Sequence, residues 1–453
     1  MHLDGTCEPQ SPVIFVGMDK STNLVLLSAK MPTENVAQIT RLLRECVQMF
    51  GEPVSVVRDM SRNIHLALQA VLPNTPDFIC HYHFLLDVGE HLCKRPYAEL
   101  ARLLKKHKLK ASLTAFRKDL VKRINAGSHI PHAAMQELLD NPSDPEHFKL
   151  DRTQMRRFIA LMLTCWLNDY VSELRGEYFP FDLPWLQFYK RCVKMYRLVD
   201  RLLRFEVQPS EDTQLLHTLR RILAPTCCDK ETVAAARRLE QAATIFRQLR
   251  KALRLTTREG TSLVRQHLPA HNDEDHDVVR SLSQFRDRLQ RIMDESPKSE
   301  RAKYARVVVQ HLDKYRDKLF VREVTLPDGK TTVYIPRTNN APEHLFGKTK
   351  QGWRRRTGTK RLSRHIQGAP AEELLVANLD NKAYVDIVYD GQLSNMAQKF
   401  AESYDAATQI REARERQREQ DQTRVRKTLI RDADFLRKIF EAATLHLANK
   451  ATT

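Results

Sequence analysis

The amino-acid sequence predicts an α/β (α+β) fold in which a long all-helical insertion interrupts a domain built on a β-sheet. Short aliphatic runs alternate with helical patterns over residues 1–84, whereas hydrophobic residues in 85–325 recur almost entirely with helical spacing. Strand-forming residues return in 326–395, and a charged, mostly polar tail follows in 396–453. These four ranges are the predicted first part of the α/β domain, the insertion, the second part of the α/β domain and a helical C-terminal tail.

The first 84 residues contain hydrophobic runs separated by turn-forming residues. The predicted elements are a hairpin of strands 13–16 and 24–27, a helix at 36–47, a strand at 54–57, a helix at 64–71 and a strand at 77–80. We expect Thr33 to cap the first of these helices. A further strand is predicted at 331–335, directly after a hairpin-type turn.

The composition favours a polyanionic partner. The chain carries 74 Lys and Arg against 56 Asp and Glu, a formal net charge of +18. Such a basic excess neutralises phosphates and releases their counterions, although a solvated basic surface is the alternative. The 8 cysteines are scattered without a Cys-x-x-Cys pair, which favours a reducing compartment over a disulfide framework. The most apolar window, 158–171, is too short to cross a membrane, so no membrane partner is expected.

Two aspartates stand where strands are predicted to begin or end. Asp4 lies at the head of the first strand, and Asp59 follows the apolar run 54–57. Carboxylates at strand ends are held by rigid backbone and can share divalent cations, although each could also be a turn or cap residue. Two Mg²⁺ ions roughly 3.5–4 Å apart activate water or a 3′-hydroxyl for in-line attack at phosphorus. Three or four carboxylate oxygens suffice, because Mg²⁺ keeps several waters.

Glu343 is the third candidate acid. Asn340 at the N-cap with Glu343 three residues later fits a capping box, which is the structural alternative. The basic sequence that follows favours a function, because no Asp or Glu occurs from 344 to 371 and an aromatic residue able to stack on a base lies within it. The predicted DNA contacts are Lys348, Lys350, Trp353, Arg354, Arg355, Arg356, Lys360 and Arg361.

Cys80 and His83 admit two interpretations. They could supply half of a zinc site, but no second Cys/His pair stands at a suitable spacing. We therefore favour a packed corner between a strand and a helix, where a histidine could still orient a carboxylate or contact a phosphate.

In chain order, these residues resemble the motifs of DDE transposases, in particular the Mutator-like group and related bacterial insertion-sequence transposases. Residues 4–6, Asp-Gly-Thr, resemble the first-strand motif, and Asp59 resembles the second catalytic aspartate. Residues 80–83 are similar to the Cys-x-x-His motif of that group. Residues 338–343, followed by 355–358, resemble the block that carries the third acid.

The resemblance covers about residues 1–390 and implies an RNase H-like catalytic domain split by the helical insertion. It implies that Asp4, Asp59 and Glu343 are catalytic and bind two Mg²⁺ or Mn²⁺ ions, with Cys80 and His83 as a supporting motif. The implied activity is cleavage and strand transfer of a mobile element. The implied partners are transposon ends and target DNA, with a homo-oligomer formed on DNA because two ends must be paired. The implied location is the bacterial cytoplasm or nucleoid, or a eukaryotic nucleus.

One departure concerns the start of the chain. Members of the group carry a DNA-binding region before the catalytic core, whereas Asp4 is the fourth residue here. We therefore expect a core that lacks its N-terminal DNA-binding region. The alternative is a catalytically inactive or domesticated transposase-derived DNA-binding protein, and a nuclease of the same fold acting on RNA or branched DNA is a third class. Mg²⁺-dependent cleavage separates the first two, because both bind DNA with a steep salt dependence.

Overall fold

The computed structural model describes residues 1–127, 152–172, 179–204, 213–255, 272–319, 323–326 and 328–420. Two compact units are present, Met1–Leu374 and a second unit that begins at Leu375. The part of the predicted C-terminal tail beyond 420 lies outside the described residues.

A five-stranded mixed sheet forms the centre of the α/β part. Its strands are His2–Thr6 (β1), Val13–Met18 (β2), Val25–Met31 (β3), Val56–Arg58 (β4) and Asp77–Ile79 (β5), in the spatial order β3-β2-β1-β4-β5. Strands β1, β2 and β3 pair antiparallel, whereas β4 is parallel to β1 and β5 is parallel to β4. The predicted hairpin is confirmed as β2 and β3, and the first strand is the middle strand of the sheet.

Helices cover both faces of this sheet. Helices Val36–Phe50 (α1) and Arg62–Val71 (α2) pack on the face that contains Leu3 and Val56. Because side chains alternate along a strand, the next residues point the other way, and Val57 packs there in a separate cluster. We refer to these as the α1/α2 face and the opposite face.

The predicted cap of the first helix is wrong. Asn35, not Thr33, occupies the N-cap of α1, and its side chain accepts hydrogen bonds from the backbone nitrogens of Ala37 (2.9 Å) and Gln38 (3.3 Å). An asparagine directly before the first helical residue satisfies these otherwise unpaired N–H groups better than a threonine two positions earlier can.

The helical part begins directly after β5. Its described helices are His81–Lys106 (α3), Leu109–Gly127 (α4), Arg152–Ser172 (α5), Pro184–Arg204 (α6), Thr213–Cys228 (α7), Lys230–Ala252 (α8), Asn272–Glu295 (α9), Glu300–Lys314 (α10) and Arg316–Leu319 (α11). Phe84, Phe188 and Phe285 belong to their common core. In α3, a Cβ atom at Gly89 would collide with the ring of Phe246 in α8, so glycine permits the close approach of these two helices.

The chain then returns to strands earlier than predicted. Strand β6, Glu323–Thr325, falls inside the range 85–325 that was expected to be wholly helical, and it pairs antiparallel with Thr332–Tyr334 (β7). Three residues are too few for a periodicity signal, and β6 depends on its partner strand. The predicted strand at 331–335 is confirmed as β7.

Helices Asn340–Thr357 (α12) and Ser363–Gly368 (α13) complete the first unit, and α12 packs against β1 and β2. The second unit contains the helices Lys382–Val388 (α14) and Met396–Gln420 (α15). Helix α15 agrees with the predicted helical tail as far as residue 420, whereas α14 lies within the range 326–395. No helix in the described ranges has both the length and the apolar character needed to cross a bilayer.

Candidate active site

The register of the parallel strands brings two of the predicted acids together. Leu3 in β1 pairs with Arg58 in β4, so Asp4 and Asp59 are the next residues along two adjacent parallel strands. Adjacent strands lie about 4.8 Å apart, and residues at matching positions point to the same face. Both aspartates therefore emerge on the opposite face. Asp59 directly follows the end of β4, whereas Asp4 is the middle residue of β1 and not its first residue as predicted, just beyond the two residues of β1 that pair with β4.

Cys80 follows the end of β5 in the same way that Asp59 follows the end of the neighbouring strand β4. Ile79 in β5 pairs with Arg58, and the backbone N–H of Cys80 donates to the carbonyl oxygen of Arg58 at 2.8 Å. Cys80 is also the N-cap residue of α3, which carries His83 in its first turn. The interpretation as a packed strand-to-helix corner therefore agrees with the structure.

Asn339 fixes the start of α12 against these strand ends. Its side chain is fully buried and donates from Nδ2 to the carbonyl oxygen of Leu3 (2.8 Å), while its Oδ1 lies 2.9 Å from Nδ1 of His2. Its backbone N–H donates to Sγ of Cys80 at 3.3 Å. One residue thus connects β1, the corner after β5 and α12.

The predicted capping box at α12 is wrong. The N-cap residue is Asn339 rather than Asn340, and its side chain makes no cap hydrogen bond because it is used by the sheet. Glu343 therefore lies one position beyond the place that a capping-box partner occupies. The structural alternative for Glu343 is removed, since its carboxylate lies 3.8 Å from Nε2 of His83 instead.

The charges of Asp59 and Glu343 both reach the carboxyl group of Asp4, although among the described residues the three carboxylates do not form a group with ligand atoms within 4.8 Å of one another. Asp4 is 5% exposed, and burial together with the negative charges of Asp59 and Glu343 raises its pKa to about 8, against opposing contributions from His83 and the Gly5 N–H. That N–H donates to Asp4 Oδ1 at 2.8 Å. Across the described ranges, no Lys or Arg nitrogen lies within salt-bridge distance of Asp4. Asp4 is thus a buried carboxyl with other acids near it, and no Lys or Arg in the described ranges bridges it to them.

Glu343 also faces the Cys80 corner. One ligand atom from each of Cys80, His83 and Glu343 lies within 4.8 Å of the other two. Burial raises the pKa of Glu343 and the charge of His83 opposes this. Burial disfavours the charged form of His83, but Cys80, Asp4 and Glu343 outweigh it and raise the pKa of His83 to about 10. Glu343 is therefore the third potential ligand beside the Cys80/His83 pair, which sequence spacing did not reveal.

Glu34 is a fourth carboxylate at this edge, and the sequence analysis missed it. Its Oε2 accepts a hydrogen bond from Oγ of Ser61 at 2.7 Å, and a Cβ atom at Gly5 would lie 2.8 Å from its Oε1. Burial raises the pKa of Glu34 and the charge of Asp59 adds to this, whereas the Ser61 bond lowers it. In the sequence, Glu34 stands just before α1 and indicates only the start of a helix. Its place beside Gly5 and Ser61 is set by tertiary packing, because these residues are distant from it in the chain.

Most of the predicted DNA contacts lie on an exposed basic surface formed by α12 and the loop after it. The exposed members of the prediction are Lys348, Arg354, Arg355, Arg356, Lys360 and Arg361. Lys350 is different, because its Nζ donates to Oγ1 of Thr6 (2.9 Å) and the carbonyl oxygen of Cys7 (3.3 Å). It fastens α12 to the end of β1.

Trp353 does not fit the role predicted for it. It is 1% exposed, and its Nε1 donates to Oε1 of Glu373 at 2.8 Å. A ring enclosed in this way cannot stack on a base. The error arose because the basic neighbours dominated the pattern, while Phe346 and Trp353, seven residues apart, share the buried face of α12.

The donor set fits a divalent cation. Asp4, Asp59 and Glu343 offer hard oxygen ligands of the kind that Mg²⁺ and Mn²⁺ prefer, but they would have to move closer together to share one cation, because they are not among the groups whose ligand atoms lie within 4.8 Å of one another. A cation there would offset the cost of burying a charge at Asp4. Nδ1 of His83 is buried without a hydrogen-bond partner, and the Cys80, His83 and Glu343 set is softer and suits Zn²⁺.

Comparisons with protein-family models, curated proteins and solved structures found no match for this chain.

Proposed function

We propose that this chain is the catalytic core of a DDE-type transposase, an RNase H-like domain split by a helical insertion, which cleaves and joins DNA strands. The observation that carries the proposal is the parallel register that places Asp4 and Asp59 side by side on one face of the sheet, where burial, and after it the charges of Asp59 and Glu343, raise the pKa of Asp4. Acids that are far apart in the sequence repel one another at a single sheet edge, which is costly unless a cation is held there.

Asp4, Asp59 and Glu343 would hold Mg²⁺ or Mn²⁺. When bound, such a cation supplies an activated water or 3′-hydroxyl and stabilises the oxygen that leaves phosphorus. The chain prepares this chemistry by fixing its acids: the Gly5 N–H orients Asp4, and the Ser61 N–H donates to Oδ1 of Asp59 at 2.8 Å.

His83 and Asn339 would position Glu343. Asn339 fixes the beginning of α12, and His83 lies next to the Glu343 carboxylate. With its pKa raised to about 10, His83 is protonated near neutral pH and attracts the Glu343 carboxylate before a cation is present.

The exposed arginines and lysines beyond Glu343 would hold the DNA backbone. Arg355 and Lys360 are exposed on the same segment that begins with Glu343 at the sheet edge. Phosphate contacts of this kind position a duplex without reading its sequence. DNA bound there would place a phosphodiester near the acids.

The first test measures strand cleavage and cation binding together. Purified protein is incubated with supercoiled plasmid and Mg²⁺ or Mn²⁺, and bound Mn²⁺ is counted by electron paramagnetic resonance. We expect nicked and joined products, and we expect Asp59→Asn and Glu343→Gln each to lower the cleavage rate by about 10³-fold, equivalent to about 4 kcal/mol. Mn²⁺ binding should weaken in the same variants.

A matched control uses an acid far from the site. Asp119 is exposed on α4 and pairs with Arg123 at 2.9 Å, so Asp119→Asn should keep both activities. Absence of cleavage, together with Mn²⁺ binding that Asp59→Asn leaves unchanged, would overturn the proposal. Salt-sensitive binding to duplex DNA without any cleavage would favour the inactive DNA-binding alternative instead.

A further inference from the structure

A second group of potential metal ligands lies where α3 packs against α10, and the proposed strand cleavage does not use it. Asp87 and His91 stand one turn apart on α3, and His311 lies on α10. Nε2 of His311 is 3.5 Å from Oδ2 of Asp87, and Nδ1 of His91 is 3.7 Å from Oδ1. One ligand atom from each of the three residues lies within 4.8 Å of the other two.

The helix backbone orients both rings. Nδ1 of His91 is 2.9 Å from the carbonyl oxygen of Asp87, and Nδ1 of His311 is 2.8 Å from that of Val307. In His311 a proton on Nδ1 is donated to the carbonyl oxygen of Val307, and the lone pair then resides on Nε2, the nitrogen that lies 3.5 Å from Oδ2 of Asp87. Histidines that bind metals are usually fixed in this way, by a hydrogen bond from the other ring nitrogen.

An ordinary ion pair between Asp87 and His311 is the competing explanation. It does not account for His91, whose ring centroid lies 4.9 Å from that of His311. Two protonated rings so close together would repel each other. The His91 side chain is 55% exposed, so water reaches the group. Two imidazoles and a carboxylate with an open side are a common ligand set for Zn²⁺, with water in the fourth position.

We propose that Asp87, His91 and His311 form a Zn²⁺ site that fastens α10 to α3. Ligand atoms about 2.0–2.2 Å from a tetrahedral Zn²⁺ are roughly 3.3–3.6 Å apart, so the contact between Asp87 and His311 already has the required spacing. The positive charge of Lys314 also reaches Asp87 and His311, which lowers the affinity for a cation.

The site would act at the base of the helical insertion. Helix α3 begins directly after β5, and Nε2 of His81 in its first turn lies 3.0 Å from the carbonyl oxygen of Leu319 at the end of α11. Zn²⁺ between α3 and α10 would hold together the segments through which the chain leaves the sheet and returns to it. Binding to the folded state alone would then raise its stability.

The test uses the full chain freed of metal by a chelator. Calorimetric titration with Zn²⁺, thermal unfolding with and without Zn²⁺, and the absorption spectrum of bound Co²⁺ are compared among variants. We expect Zn²⁺ to raise the melting temperature, and we expect His91→Ala and His311→Ala each to weaken binding at this site at least tenfold. His91 is exposed, so its replacement leaves the helical core intact.

Two further variants separate this site from other histidine and cysteine sites. His217 is exposed elsewhere in the helical part, and His217→Ala should change neither affinity nor melting temperature. Cys80→Ser removes the thiolate absorption band of Co²⁺ at the other cluster but should leave a second, sulfur-free Co²⁺ site. Sulfur-free Co²⁺ binding that survives in both His91→Ala and His311→Ala in the Cys80→Ser background, or that is absent from Cys80→Ser itself, would overturn the proposal.

Discussion

Asp77 and Asp4 are both shielded carboxylates of one β-sheet, but they lie on opposite faces of it. Asp77 is on the α1/α2 face and accepts from Nη2 of Arg58 at 3.0 Å and from Nζ of Lys318 at 2.8 Å. Asp4, on the opposite face, has other acids as neighbours. Burial alone would raise the pKa of either group, but Arg58 and Lys318 hold the pKa of Asp77 below its ordinary value, whereas that of Asp4 rises to about 8.

This difference indicates that Asp77 stabilises the fold through its ion pairs, whereas Asp4 is in a position to bind a cation. Arg58 is also the residue next to Asp59, and its Nη1 donates to the carbonyl oxygen of Asp59 at 2.9 Å. The compensated cluster on the α1/α2 face therefore holds the strand end from which Asp59 projects. On the opposite face, Asp4 has other acids and His83 as neighbours and no Lys or Arg in the described ranges, so a cation would stabilise its charged form.

The largest stability effect should come from Asp77. Asp77→Asn leaves Arg58, whose side chain is 4% exposed, without its carboxylate, and breaking a buried ion pair in this way costs about 3–5 kcal/mol. Asp4→Asn should leave the free energy of unfolding unchanged or raise it, because asparagine avoids the burial and the repulsion from Asp59 and Glu343 that make the ionised Asp4 costly in the folded state. Urea unfolding of both variants in metal-free buffer measures the difference.

The same pair supplies its own control. Each variant replaces one aspartate of the sheet by asparagine, so a general loss of polar contacts would affect both. Asp4→Asn as destabilising as Asp77→Asn would mean that the Asp4 carboxylate is part of the structural framework, and the distinction between the two faces would fail.

How far the sequence predicts this sheet depends on the range of each signal. The hairpin β2–β3 and the position of Asp59 follow from local hydrophobic runs and from the residues that end them, whereas β1, with Asp4 at its centre, contains no hydrophobic run. The Asp77 cluster, the Asn339 connection and Glu34 do not follow, because each brings together residues from distant segments. Local patterns identify candidate acidic residues, but only tertiary packing shows which of them form ion pairs with Lys or Arg side chains.

A smaller effect, of opposite sign for the two aspartates, is expected on varying pH. The stabilising contribution of Asp77 is fully present above the ordinary pKa of an aspartate and disappears as pH falls through its lowered folded pKa. Asp4 keeps its proton in the folded state up to a pKa of about 8 but loses it much earlier when unfolded. Its contribution to the free energy of unfolding therefore falls as pH rises from about 4 to about 8.

Urea midpoints in chelated buffer test this between acidic and mildly alkaline pH. The stability gain of Asp4→Asn over the parent protein should grow with pH, and the loss in Asp77→Asn should shrink under acid conditions. Parallel pH profiles for the parent protein and Asp4→Asn would contradict the raised pKa of Asp4.

The smallest effect concerns the buried and exposed faces of α12. Trp353→Phe removes the hydrogen bond to Glu373, which should cost roughly 1 kcal/mol of unfolding free energy, and it should leave DNA affinity unchanged. Arg355→Ala should leave the free energy of unfolding nearly unchanged and weaken DNA binding, because the exposed Arg355 side chain contributes little to stability but would make one phosphate contact. Fluorescence anisotropy with duplex DNA over a salt series reports both, and the Arg355 variant should show a salt slope smaller by about one. If Trp353→Phe weakened DNA binding more than Arg355→Ala does, a ring enclosed in the free protein would have to emerge on binding, and the basic surface of α12 would be a surface that rearranges rather than one already formed.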